Sequence, residues 1–199
     1  MTVTASQVKE LRETTGAGMM DCKAALTEAK GDMEKAVDIL RKRGSATLQK
    51  KAGRVANEGI IDAYIHAGGK LGVILEVNCE TDFVARNKDF KNFVHDLAMH
   101  IAAANPLWIS RDEISPEVIT KERDIYKEQA LNEGKPEKVI DKIVEGKLEK
   151  FYERTCLLDQ PFVKNQEITI KNYLGELVGK IGENIVIRRF DRYLLGEEE

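Results

Sequence analysis

The chain has 199 residues, 42% hydrophobic and 33% charged, which suits one or two domains, a substantial core and a heavily charged surface. Its 31 Lys and Arg against 34 Asp and Glu give a net charge of -3, which excludes a uniformly basic nucleic-acid binder and leaves room only for a local basic patch. No apolar run approaches the roughly 18 residues of a membrane span. Cys22, Cys79 and Cys156 are far apart and form no CxxC pair, which argues against a structural zinc site or a disulfide scaffold. The opening MTVTASQVKELRE has neither a basic nor an apolar leader region, so the expectation is a cytoplasmic protein.

In chain order, Thr4 and Gln7 form a capping-box pattern ahead of a helix that carries Val8 and Leu11. Gly16 and Gly18 predict a tight turn into a second helix, from about Met19 to Lys30, which Gly31 stops. Asp32 can cap a third helix with Met33, Ala36, Val37 and Leu40 on one face, and Gly44 is expected to end it. Residues 41 to 54 hold six basic side chains (Arg41, Lys42, Arg43, Lys50, Lys51, Arg54) and no acid, and read as an exposed helical linker.

The hydrophobic period then changes to two. Gly59 to His66 and Leu71 to Asn78, around Gly68-Gly69, predict a β-hairpin. Thr81 or Asp82 offers an N-cap for a helix running from Phe83 past Ile101 and ending at Asn105-Pro106. Ser115-Pro116 starts another helix, Gly134 and Pro136 turn the chain, and a return helix reaches about Leu157, with Val118, Ile125 and Leu131 facing Val139, Ile143, Leu148 and Phe151. Ile168 to Val178 predicts a helix, Asn184 to Leu194 a last strand, and Glu197 to Glu199 a solvated tail. The fold class is therefore α+β. It divides into a three-helix bundle at 1–44, a basic linker at 45–57 and an antiparallel-sheet core at 58–199, which includes a projecting helical hairpin at about 116–158.

Enzyme signatures are absent: no GxxxxGK[ST], no GxSxG and no HExxH occurs. His95 and His100 stand five apart, roughly 140° around a helix, and would not share a ligand face. No metal site, no cofactor and no enzymatic activity are expected. Two stretches stand out instead. In LRETTGAGMMDCKAAL (Leu11 to Leu26), Met19 and Met20 cannot both point inward, so one is exposed, as flexible Met is on binding surfaces. In EVNCETDFVARN (Glu76 to Asn87), a strand runs into a helix cap beside Phe83.

Together these stretches resemble the elongation factor Ts family, the guanine-nucleotide exchange factors of translation. AMHIAAANP, SPEVITKERDIYKEQALNEGKP and VEGKLEKFYERTCLLDQPFV carry the resemblance through nearly the whole chain. Longer members have two β-rich subdomains; this chain has one, closed by GKIGENIVIRRF, and is similar to the short form. The resemblance implies a protein that binds elongation factor Tu carrying GDP, disturbs its magnesium and phosphate site and promotes GDP release for GTP. It implies that Thr81, Asp82, Phe83 and Val84 intrude at that site, with Asp82 and Phe83 as the intruding pair. His100 matches a position facing the phosphate-binding loop. Met19, Met20, Lys23 and, more weakly, Arg12 belong to the bundle that docks on the partner's nucleotide domain.

The alternative is a ubiquitin-associated-like adaptor or an RNA-binding protein, since the bundle resembles ubiquitin-associated modules and the basic run could meet RNA. That run has no interleaved aromatic for base stacking, so no direct nucleic-acid contact is expected. No membrane contact is expected either. A sheet of about three strands leaves faces or edges uncovered, so a homodimer through the core is expected.

Overall fold

The computed structural model describes residues 3–197; Glu198 and Glu199 of the expected tail lie outside the described residues. The elements in chain order are α1 (Ala5–Thr15), α2 (Met19–Glu28), α3 (Met33–Lys51), β1 (Glu58–Ile65), β2 (Leu71–Cys79), α4 (Asp82–Ala85), α5 (Lys88–Ala104), α6 (Pro116–Asn132), α7 (Glu137–Thr155), β3 (Pro161–Phe162), β4 (Asn165–Thr169), α8 (Ile170–Ile181) and β5 (Ile185–Leu194). Helices combined with antiparallel strands make the chain α+β, as the sequence predicts. Two compact units emerge, one holding the chain up to Met99 and again from Lys171, the other His100–Ile170.

The first unit begins with three helices around one apolar cluster. Thr4 and Gln7 make the predicted capping box, and Gly16, at φ 67°, closes α1 in the left-handed conformation. Val8, Leu11, Cys22, Ala25, Leu26 and Ala36 are buried together, with Met33, Val37 and Leu40 packed against them. Asp32 caps α3 by accepting from the Lys35 N–H at 3.1 Å.

α3 does not end at Gly44; it runs seven residues further. The glycine serves a close helix crossing. A Cβ at position 44 would stand 2.9 Å from the backbone oxygen of Gly175 in α8, and Arg41 pairs with Glu176 of the same helix at 3.7 Å. The basic stretch is helical through Lys51 and largely exposed, as expected, and several of its cations are tied at the surface to acceptors of the same unit. Arg43 pairs with Glu28 at 2.8 Å, Arg54 with Glu80 at 3.5 Å, and the Lys51 ammonium donates to the Gly182 carbonyl. Gly44→Ala should force the two backbones apart and cost about 1–3 kcal/mol of stability, the range for overpacking. Chemical denaturation would show it as a lowered midpoint at unchanged slope.

The predicted hairpin and last strand form one antiparallel sheet in the order β1-β2-β5, with a bulge at Glu76/Val77. Alternation sorts its faces. Val73, Leu75, Val77 and Cys79 of β2, with Ile185 and Ile187 of β5, are buried. On the opposite face Ile61, Ile65, Ile74 and Tyr193 are exposed. α5 contributes Phe90, Phe93, Val94 and Leu97 to the buried side, and the Phe93 ring meets Tyr173 of α8 at 5.0 Å.

The expected single helix from Phe83 is two. Asn87 separates them: its N–H donates to the Val84 carbonyl at 2.9 Å, while its side-chain oxygen accepts from the Asp89 N–H at 2.7 Å. One residue thus closes α4 and caps α5. α5 stops ahead of Asn105, which lies at φ 48° before Pro106.

In the second unit α6 and α7 are antiparallel across the Gly134 turn. Ser115 stands at the cap position of α6, but its side chain makes no cap hydrogen bond there. The apolar seam keeps the expected Ile143, Leu148 and Phe151, with Val118 packed beside Phe151, but departs from the expected Ile125, Leu131 and Val139. Ala130, Ile140, Val144 and Leu148 are buried with Tyr126 and Ile143 against them, whereas Ile125, Leu131 and Val139 are exposed. The β3–β4 hairpin, too short and too polar to show a period, takes Ile168, so the helix expected to start there begins at Ile170.

Candidate functional site

The sequence between β2 and α5 builds a small apolar tip. Thr81, rather than Asp82, is the N-cap of α4: its Oγ1 accepts from the Val84 N–H at 3.5 Å. Asp82 sits in the first turn, where a carboxylate suits the helix dipole, and pairs with Arg86 at 2.9 Å on the surface. Val84 and Ala85 are buried and fasten the tip from below. Phe83 points the other way and is 80% exposed. A four-residue helix has little stability of its own, so this ring is held out by its neighbours.

The neighbours are polar as well. The Glu183 carboxylate, just before β5, accepts from the Glu80 and Thr81 N–H groups at 3.1 and 3.0 Å and from the Thr81 hydroxyl at 2.7 Å. In return the Asn184 N–H donates to the Glu80 carboxylate at 2.6 Å, and the Asn184 side chain donates to the Arg54 carbonyl at 2.8 Å. Sequence reasoning missed this clasp. The antiparallel register Cys79↔Ile185, which no local pattern announces, sets positions 80–81 beside 183–184.

A second candidate surface lies on the bundle. Both methionines are outward, Met19 at 47% and Met20 at 73% exposure, so the sequence expectation of one exposed Met is exceeded. Lys23 follows at i+4 and i+3 from them, on the same face of α2, and is exposed. Arg12 on α1 is exposed too.

The structure does not bring His100 to either surface. It is fully buried in the second unit. The Gln160 amide donates to the Arg154 carbonyl at 2.7 Å, which turns its oxygen to the His100 Nε2 at 2.9 Å. Nε2 therefore carries the proton, and Nδ1 accepts from the Val163 N–H at 3.3 Å. Both nitrogens are used by the neutral ring. Burial lowers the His100 pKa from its ordinary 6.5, and the Gln160 hydrogen bond opposes this only in part. A depressed histidine pKa means that the unfolded chain binds the extra proton first, so stability is present above pH 6.5 and is lost as pH falls through the lower, folded value. Melting temperature should decline below about pH 6.5, and His100→Gln, with no titrating ring, should flatten that decline.

Burial raises the thiol pKa of Cys22 and Cys156 and pushes Cys79 up to about 11, the reverse of what an activated nucleophile requires. Among the described residues no group of three His, Cys, Asp or Glu side chains could hold a metal ion, and no helix is long and apolar enough to cross a membrane.

A family model described as Elongation factor TS matches residues 6–177. The chain is 63% identical over 195 residues to the Elongation factor Ts of Thermoanaerobacter sp. (strain X514), covering 98% of this chain and 96% of that protein. It is 61% identical over 197 residues to the Elongation factor Ts of Alkaliphilus metalliredigens, covering 99% and 91%. Against that of Caldanaerobacter subterraneus subsp. tengcongensis it is 60% identical over 195 residues, 98% of each chain. A match of this identity over almost the full length of both partners, with the TDFV tip and the MM pair inside it, carries one conclusion: the chain belongs to the elongation factor Ts family.

Proposed function

We propose that this chain works on its partner through two separate surfaces, one that docks and one that intrudes. As a member of its family it is a translation elongation factor and exchanges guanine nucleotide on elongation factor Tu. Exchange makes and breaks no covalent bond. It requires a factor that binds the nucleotide-free partner more tightly than the nucleotide-bound one, and bound factor then weakens nucleotide by the same ratio.

The observation that carries the reading is Phe83, a large apolar ring left exposed on a tip whose base is buried and hydrogen-bonded. A rigid wedge transmits displacement; a flexible one would yield. Pressed into the partner's nucleotide domain, Phe83 separates packed side chains near the magnesium site. Magnesium demands octahedral geometry shared between protein and phosphate oxygens, so a small shift of its supports is costly. Thr81 and Val84 hold the wedge, and Asp82 is free to exchange Arg86 for a backbone donor of the partner. Met19, Met20, Lys23 and Arg12 of the ubiquitin-associated-like bundle dock. His100 contributes from within, through the turn at Val163 that it fixes, and this half-exposed valine is what faces outward. The ties of Arg41, Arg43, Lys51 and Arg54 to acceptors of the chain support a reading without RNA contact. Labelled GDP on elongation factor Tu tests the reading. The chain should accelerate its release at catalytic amounts, and an unchanged release rate overturns it.

The same reading includes a homodimer through the sheet. Ile61, Ile65, Ile74 and Tyr193 share one exposed face of β1-β2-β5 with Glu76, Arg189 and Asp191, and exposed apolar side chains among charges of both signs favour a self-complementary contact. Light scattering should give twice the 22.4 kDa chain mass. Ile74→Lys, at the centre of that face, should return the mass to that of one chain without unfolding it.

A further inference from the structure

We infer that Glu183 is a positioning residue for nucleotide exchange, acting through Phe83; this rests on the reading above that Phe83 drives release. β5 starts at Ile185, opposite Cys79, so the sheet ladder ends there and cannot serve the N–H groups of Glu80 and Thr81. The Glu183 carboxylate takes both, one oxygen accepting the two N–H groups. Its other oxygen takes the Thr81 hydroxyl proton at 2.7 Å.

That last bond sets a polarity. With its proton committed to Glu183, the Thr81 hydroxyl can only accept on its other side, which is where the Val84 N–H stands. The carboxylate thus orients the cap, the cap starts α4, and α4 aims Phe83. Glu183 is 102 residues from Thr81 in the chain yet meets it through charge-assisted bonds, roughly twice as strong as neutral ones. The reciprocal bond from the Asn184 N–H to Glu80 at 2.6 Å, and the Arg54–Glu80 ion pair, keep Glu183 facing the tip. A helix of one turn has little stability of its own, so the buried Val84 and Ala85 hold its base while the Glu183-oriented cap sets its direction.

A purely structural role would tie the sheet end and nothing more, so the test reads exchange and coupling as well as folding. Release of labelled GDP is measured at saturating chain for wild type, Glu183→Gln, Phe83→Ala and the double variant, with partner affinity and melting temperature alongside. Glu183→Gln keeps size and one acceptor oxygen; Glu183→Ala, which keeps neither, extends the series. Misplacing the ring should slow release by up to about 30-fold, the loss expected from removing it, more for Ala than for Gln, with little change in affinity for the GDP-bound partner. In the Phe83→Ala background the Glu183 substitution should add nothing. An equal Glu183 effect with and without Phe83, or a lowered melting temperature with full release activity, overturns the proposal. If Phe83→Ala alone leaves release unchanged, the intruding-tip reading fails and the role of Glu183 fails with it. A slow Phe83→Ala beside a normal Glu183→Gln and Glu183→Ala defeats the role of Glu183 alone.

Discussion

Phe83→Ala should slow partner GDP release at saturating concentrations of the chain, while its docking and its own stability hardly change. The ring is 80% exposed, so truncation leaves no cavity in the fold. The anchors Val84 and Ala85 and the Thr81 cap do not touch the lost atoms by any hydrogen bond, and α4 should persist. What disappears is the wedge. A buried aromatic anchor in an interface is worth about 2 kcal/mol or more. If that energy is spent only on the nucleotide-free complex, release slows by about 30-fold. Stopped-flow release of labelled GDP gives the rate, and circular dichroism melting confirms the fold. Conservative replacement with Leu should retain part of the activity, since an apolar wedge of smaller volume remains.

Met20→Glu should produce the opposite pattern. Met20 is 73% exposed on α2 and lies outside the buried cluster of the bundle, so stability should move by less than about 0.5 kcal/mol. A carboxylate in place of an apolar docking side chain should weaken association by about 30-fold, the scale of a single hot spot. The concentration of chain needed for half-maximal exchange rises accordingly, while the maximal rate at saturation stays near wild type. Loss of maximal rate instead would mean that the bundle also acts on the nucleotide site. Removing residues 1–44 is a poorer test of docking. α3 continues through Gly44 to Lys51, and the crossing of Gly44 over Gly175 makes that stretch part of the first unit.

The elements that could be read from sequence are those whose signals are local. The Thr4–Gln7 capping box, the Asp32 cap, the Gly68-Gly69 turn and the Pro116 helix start each need only a few adjacent residues, and each is present. Alternation gave all three strands of the main sheet. Two of the misreadings have one cause, a residue whose local meaning is overridden by a distant partner. Gly44 reads as a stop, but it is a contact point for a helix more than a hundred residues away. The basic run reads as unpaired charge, but Glu176, Glu28 and Glu80 stand beside it. The break at Asn87 was hidden by the helical spacing of the apolar residues on either side. At the candidate site, an exposed methionine was legible because two adjacent Met cannot both face inward on an amphipathic helix, whereas Phe83 was singled out only by the family resemblance. Glu183 was not legible, because nothing near it in sequence says what its carboxylate receives.

Nucleotide exchange depends on coupling rather than on affinity alone. Titration calorimetry can give the affinity of the chain for elongation factor Tu without nucleotide and with GDP, for wild type and for Phe83→Ala. Wild type should prefer the empty partner by about 10- to 100-fold, within the usual range of coupling energies. In Phe83→Ala that preference should collapse towards unity, because the GDP-bound complex keeps its docking contacts and the empty complex loses the wedge. A preference that survives intact in Phe83→Ala would contradict the account, and would place the coupling somewhere other than the tip between β2 and α5.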